Sequence, residues 1–333
     1  MLLTVTCSNY ASQAAHLSAT WRRSGMVGAR VVVLMDPQRP AETLLRRHFD
    51  EVVPAREVLG EGFISLVFSY DALEASCAMK ALALEWALRR YDSTDRIVLM
   101  DPDCWIFSRM EELDELLSTR HVVLTPHLTL DEADPEVIGN GLYSVLRVGT
   151  FNLGFVGIRR TAQSLDLVRW WAARVLHDCR SDPTKGLFLD QRWMDLAVVS
   201  GAIEVLPNKG YNVNGANILA RSISRRDSVY SIDGKPLRFI HFCGFGRTDD
   251  PDLLFRGVPM ENKIHVLLAR YRRRLTSLGH KDMRLLRWPH DVFASGERIS
   301  RQSRRRYQAA SKADPISSDP FALSNEQLET AEE

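Results

Sequence analysis

Short β-branched runs alternate with longer stretches of helical period from the start of the chain. Residues 2–6, 30–35 and 51–54 have strand character, and 12–24 and 41–49 place apolar positions at helical spacing. Such alternation predicts a parallel sheet with crossover helices. After a loop, the strongest helical pattern covers 71–91, where Leu73, Cys77, Lys80, Leu84 and Leu88 share one stripe. Residues 96–100 read as a compact apolar strand that stops at Asp101-Pro102-Asp103, because proline cannot donate to a sheet ladder. Beyond it the pattern predicts a helix over 110–118, a strand over 121–125 and a polar loop over 131–141, long enough to suspect function. A strand over 151–158, helices over 165–179 and 190–199, and last strands over 203–206 and 237–242 complete the expectation. The predicted class is α/β, a Rossmann-like, mostly parallel sheet flanked by helices.

Composition narrows the classes. With 333 residues, 45% apolar and 26% charged, the chain is globular. Lys and Arg total 43 against 42 Asp and Glu, too even a balance for a surface built to hold nucleic acid, and no nucleic-acid partner is expected. No run approaches the roughly 18 apolar residues of a spanning helix. The first ten residues read as a strand rather than a signal peptide. The five cysteines are scattered and never form CxxC, which predicts reduced thiols of a cytoplasmic protein rather than a disulfide framework or zinc ribbon. Charge is segregated nonetheless: 256–306 carries 14 Lys and Arg against four Asp and Glu. Its arginines interleave with Leu267, Leu268, Leu275, Leu278, Leu285, Leu286 and Trp288. That mixture suits helices lying peripherally on an anionic membrane surface, or equally a helix pair docked on the main domain. After Tyr307 the composition predicts a disordered acidic tail. The expected units are therefore 1–250, a basic helical appendage over 251–306, and the tail over 307–333.

Asp101 and Asp103 are the sharpest chemical signal. Hard cations such as Mn²⁺ and Mg²⁺ prefer carboxylate oxygens, and ligands of open α/β sheets bind outside the carboxyl ends of strands. The same residues also fit a polar turn closing a strand. Lys80, a cation on an apolar stripe, either snorkels to the edge or neutralises an anion inside. Asn152 and Gly154 open a strand, where the amide can bond sugar hydroxyls and glycine lets a ligand approach, or they make an ordinary strand-entry turn. Asp190 fits an N-cap. His241 fits a metal ligand or a buried ring satisfied by backbone. Ser8, Asn9 and Asp36 end the first two strands, where a nucleotide base and ribose would lie, and turn chemistry explains them equally well. The run 208–214 carries amides, a cation and a ring suited to sugar and phosphate oxygens, or serves as a plain loop.

The ordered set formed by Lys80, Asp101-Pro102-Asp103, Phe151-Asn152-Leu153-Gly154-Phe155, Leu189-Asp190-Gln191 and His241-Phe242-Cys243-Gly244 resembles the nucleotide-diphosphosugar glycosyltransferases of the GT-A fold. It is most similar to the branch related to glycosyltransferase family eight, over about residues 1 to 250. The resemblance implies a metal-dependent hexosyltransferase that retains anomeric configuration. Its donor would be a nucleotide diphosphosugar, by default a UDP-hexose, and its acceptor a hydroxyl of a cell-surface glycan or lipid-linked precursor. It implies Mn²⁺, or Mg²⁺, held by Asp101, Asp103 and His241. Donor contacts would come from Ser8, Asn9, Asp36, Lys80, Asp101, Asp103, Asn152 and Gly154, with Asp190 and Gln191 beside the anomeric carbon. A catalytically silent nucleotide-sugar or membrane-binding module of the same fold is the alternative. The chain has no GxGxxG, GxxxxGK[ST] or GxSxG, so dehydrogenase, P-loop and serine-hydrolase readings lose their best support. The absence of glycine from 8–19 argues against a pyrophosphorylase loop.

Overall fold

The computed structural model describes residues 1–132, 134, 136, 139–245, 254–313 and 319–330. The strands β1 (Leu2–Thr6), β2 (Arg30–Leu34), β3 (Glu51–Pro54) and β4 (Arg96–Met100) form where the alternation placed them. They join β6 (Val122–Pro126), β7 (Phe151–Arg159) and β10 (Ile203–Val205) in a seven-stranded sheet of order β10-β6-β7-β4-β1-β2-β3. Among these strands β7 alone runs antiparallel to its neighbours, β4 and β6. The sheet is mostly parallel, as expected. Alternate side chains face opposite layers: Leu3, Val5, Val33 and Leu99 enter one core, and Leu2, Val32, Val98 and Met100 the other.

Helices α1 (Ala11–Arg23), α2 (Arg39–Arg46), α5 (Ala72–Arg90) and α6 (Glu111–Thr119) cross over between strands. Asp71 starts α5 with a capping box: its carboxylate accepts from the N–H groups of Leu73 and Glu74, and Glu74 accepts from the Asp71 N–H. The stretch expected as a loop after β3 is two short helices, α3 (Ala55–Leu59) and α4 (Gly62–Ser69). Gly60 separates them at φ 61, and that break hides their period in the sequence. The polar loop expected over 131–141 lies partly outside the described residues, and its end already begins α7 (Asn140–Val148). Two further helices are α8 (Ala162–His177) and α9 (Gln191–Ala197), separated by the two-residue strands β8 (Ser181–Asp182) and β9 (Leu187–Phe188).

A small ladder decides the site. Strand β5 (Cys104–Ile106) follows the Asp-Pro-Asp turn and pairs antiparallel with β14 (Phe239–His241), setting His241 opposite Cys104. The antiparallel strands β11 (Ile223–Arg226), β12 (Val229–Ile232) and β13 (Lys235–Pro236) precede it.

The basic segment docks on this body. In α10 (Ile264–Ser277), Leu267, Leu268, Tyr271 and Leu275 are buried, and the Tyr271 ring stacks on Phe242 at 4.2 Å. Three leucines that would face a membrane are thus consumed by packing, and the arginines beside them, Arg272, Arg273 and Arg274, are exposed. The short α11 (His280–Met283) follows. The tail expected to be disordered after Tyr307 is ordered where it is described. Helix α12 (Arg301–Ala313) continues through Tyr307, and α13 (Asn325–Thr330) buries Leu328. Tyr307 and Phe321 meet Phe68 with ring centroids 4.7 and 5.0 Å away. A few apolar residues spread over a polar stretch carry this packing, and average composition does not register them. Residues 314–318 and 331–333 lie outside the described part.

Candidate functional site

Four elements deliver side chains to the carboxyl end of β4. The turn after β4 presents Asp101 and Asp103, α5 presents Lys80, β14 presents His241, and the residue before α9 is Asp190. The ammonium of Lys80 lies 2.9 Å from Asp190 Oδ2 and 3.4 Å from Asp101 Oδ1, and it donates to the Leu153 carbonyl at 3.2 Å. Burial alone would strip Lys80 of its proton, but the two carboxylates hold its pKa well above the usual lysine value. Lys80 does not snorkel; it is 6% exposed. Asp190 occupies the N-cap position of α9, yet its side chain makes no cap bond and turns to Lys80 instead.

His241 Nε2 faces Asp103 Oδ1 at 3.1 Å and Asp101 Oδ2 at 3.6 Å. Its Nδ1 faces two amide oxygens, Asn152 Oδ1 at 3.1 Å and Asn212 Oδ1 at 3.2 Å. Burial would lower the imidazole pKa, and the Asp103 carboxylate beside it lifts it well above the usual value. Oxygen acceptors on the Nδ1 side require a proton there, so in the neutral ring the Nε2 lone pair points at the carboxylates. Two carboxylates and an imidazole nitrogen so arranged fit Mn²⁺ or Mg²⁺. Cys104 lies in the same cluster: its sulfur, Asp103 and His241 offer ligand atoms within 4.8 Å of one another. Burial and the nearby carboxylates push its thiol well above the usual value, and it donates to the Gly154 carbonyl at 3.7 Å. It is a protonated neighbour of the donor set.

Gly154 packs against His241. A Cβ built there would lie 2.2 Å from His241 Cε1 and 2.4 Å from Nδ1, so the imidazole fills the space of the missing side chain. Its carbonyl accepts from the Asp101 N–H and its N–H donates to Asn152 Oδ1. Asn152 is likewise turned inward, with Oδ1 on the Gly154 N–H and towards His241.

Ser8 and Asp36 are brought together, but on each other. The Ser8 N–H donates to Asp36 Oδ1 at 2.7 Å and its hydroxyl to the Asp36 carbonyl at 2.5 Å, with both residues buried. Burial raises the Asp36 carboxyl to about 6 against these hydrogen bonds. Asn9 stays half-exposed and, with Tyr10, Ser76, Lys80, Asp101 and Asp103, lines a cleft of about 340 Å³. Gln191 is committed elsewhere: its amide donates to the Val148 carbonyl at 2.8 Å and lies 3.1 Å from His127 Nε2.

The run 208–214 is scaffold in the main. Lys209 pairs with Asp131 at 2.7 Å and Asp233 at 3.2 Å, while Asn208 and Tyr211 both donate to Glu112. The Asn214 amide donates to the Asn212 carbonyl. Asn212 is the residue that sequence reasoning left without a separate role: at φ 48 it donates to Thr125 and the Asn152 carbonyl and turns its oxygen to His241. Its place in an amide-rich run was the available signal. His127, held at about 4 by burial with His241 adding to the effect, and the buried Arg221–Glu132 pair at 2.5 Å were not foreseen.

The mostly parallel seven-stranded sheet with one inserted antiparallel strand and flanking helices is the GT-A glycosyltransferase fold. The galactosyltransferase LgtC, solved with donor and acceptor sugar analogues, superposes with a TM-score of 0.51 at 12% identity, over 83% of this chain and 95% of that one. That likeness shows the fold. The bifunctional glycosyltransferase WbbM gives a TM-score of 0.48 at 16% identity, over 81% of this chain and 51% of that one. In sequence, the uncharacterized protein YfnF of Bacillus subtilis (strain 168) is 26% identical over 208 residues, which is 58% of this chain and 64% of YfnF. YfnD of the same organism is 26% identical over 170 residues, 50% of this chain and 52% of YfnD. The chain therefore matches less than two thirds of the length of either relative. No family model matches it.

Proposed function

We propose that the protein is a metal-dependent glycosyltransferase that moves a sugar, with retention, from a nucleotide diphosphosugar to a hydroxyl of a glycan or lipid-linked precursor. The observation that carries this reading is the convergence of Asp101, Asp103, His241, Lys80 and Asp190 at one strand end of a GT-A sheet, beside an open cleft. Asp101, Asp103 and His241 would hold Mn²⁺ or Mg²⁺, which when bound neutralises charge on the departing diphosphate. Asn152 and Asn212 orient the imidazole from behind. Burial pushes the Asp190 carboxyl above its usual value, the Lys80 ammonium at 2.9 Å opposes that rise, and Lys80 adds positive charge on the diphosphate side of the cleft. Asp190 then stabilises the positive charge developing at the anomeric carbon as its bond to the diphosphate oxygen breaks and a bond to the acceptor oxygen forms, the acceptor's hydroxyl proton passing to the departing diphosphate. Gln191 supports the same region through Val148 and Leu153. Asn9 stands where a nucleotide would enter, and Ser8 and Asp36 brace that wall.

Release of nucleoside diphosphate from UDP- and other nucleotide sugars, with and without Mn²⁺, tests the reading. Metal-stimulated release that disappears in Asp103→Asn is expected, with an unchanged anomer in the product by proton NMR. No release from any common donor leaves the silent-module alternative standing.

A further inference from the structure

A second cavity, of about 280 Å³, adjoins the donor cleft: Leu73 lines both. It ends at Leu189, the residue before Asp190, whose backbone N–H donates to the Arg180 carbonyl at 2.9 Å. Arg180, Arg301 and Arg305 bring three guanidinium groups to its wall.

The remaining charged groups of the cavity are already committed. Asp71 accepts two N–H groups of α5, and Glu74 accepts the Asp71 N–H. Arg304 is buried and donates to the carbonyls of Val67, Phe68 and Tyr70 and to Asp291. Arg180 bonds Gln308 and lies over the Tyr70 ring, with Asp178 at 4.0 Å. Among the described residues Arg301 and Arg305 make no hydrogen bond and no ion pair within 4.0 Å, although the Asp182 carboxyl, lowered first by the Thr184 hydroxyl, is lowered further by Arg305. Two guanidinium groups free of hydrogen bonds beside a third, in a concave site next to a candidate sugar centre, are the chemistry that binds an oxyanion.

We propose that this cavity binds an oxyanion, phosphate or carboxylate, carried by the sugar acceptor. The inference rests on the glycosyltransferase reading for the word acceptor, and on the cavity alone for the anion. A nucleotide diphosphate is not its occupant, because Lys80 and the metal-binding carboxylates stand on the other side of Leu73.

Titration of the full chain with glucose 6-phosphate, glucuronate and glucose, followed by ligand-observed NMR, reads the site directly. The expected result is binding of at least one anionic sugar tenfold or more tighter than glucose. The double substitution Arg301→Gln, Arg305→Gln should erase that preference. Both residues are exposed, so the fold should tolerate the change. A preference for the phosphate or for the carboxylate alone identifies the anion. Equal binding of glucose, or an unchanged preference in the double variant, overturns the proposal. The same samples are titrated with UDP and Mn²⁺. If these bind no sample while the anion preference holds, the donor reading fails and the anion site stands.

Discussion

Gly154 shows how a single residue type is tied to the site. Glycine in the middle of a strand weakens it, and β7 tolerates one here because the His241 ring occupies the space a methyl group would take. Gly154→Ala should push the imidazole off Nε2-to-carboxylate alignment and weaken Mn²⁺ binding more than tenfold, with a stability loss of about 1–3 kcal/mol from overpacking. Gly157 on the same strand supplies the comparison, since its added Cβ would lie 2.5 Å from Leu113 Cδ1, away from the site. Gly157→Ala should show a similar stability loss with Mn²⁺ affinity unchanged; equal metal titrations for the two variants would remove His241 from the metal site. Asp101, Asp103, Lys80, Asp190 and His241 do meet, whereas Ser8, Asp36, Asn152, Gly154 and Gln191 turned out to hold other protein groups. A polar side chain is legible as polar, but whether it bonds a ligand or a neighbouring backbone depends on what the fold sets opposite it.

Elements inherit the same limit. The long, apolar ones were legible because their burial repeats at a fixed period: β1, β3, β4 and α5 lie within a residue of their expected bounds. The three residues of β5 have no such signal, for they become a strand only by pairing with β14. Helix α12 illustrates the converse, a visible helix whose role was hidden. Its Arg304 guanidinium donates to the carbonyls of Val67 and Phe68, which end α4, and of Tyr70 just beyond, taking up acceptors left open at a helix C-terminus. Arg304→Ala should therefore cost about 3 kcal/mol, because those acceptors are buried and lose their donor. Denaturant melts would give the magnitude. Limited proteolysis should find the chain after residue 290 cut faster than in the parent protein; unchanged cleavage would mean that the aromatic cluster around Phe68 holds the tail by itself.

The whole molecule is closed by contacts between its two ends. His16 of α1 meets Trp105 and Tyr271 of α10 with ring centroids 5.2 and 5.3 Å away, and burial, with Arg23, Arg274 and His48 nearby, lowers its pKa to about 3. In the unfolded chain the same ring titrates near 6.5, so between those values the unfolded state binds the extra proton. Stability from His16 is complete above pH 6.5 and falls by about 1.4 kcal/mol for each unit below it. His16→Phe should accordingly flatten the fall in stability between pH 6.5 and 4.5. Melts of both proteins across that range would show it, and parallel curves would mean that His16 is not buried neutral.

The order of the elements and the candidate carboxylates at the end of the central strand were set by local chemistry, whereas the grouping of Lys80, Asp190 and His241 with them came from the resemblance to a known family. Alternation of β-branched and helical stretches requires a parallel sheet with crossovers, and a proline between two aspartates must end the central strand. Those properties act between near neighbours in the chain. Tertiary structure alone decided the antiparallel insertion of β7, the return of His241 to Cys104, the use of Gly154 as room for an imidazole, and the docking of the basic segment and tail. Each of these joins residues far apart in sequence, so its free energy depends on what packs opposite, which no local pattern encodes.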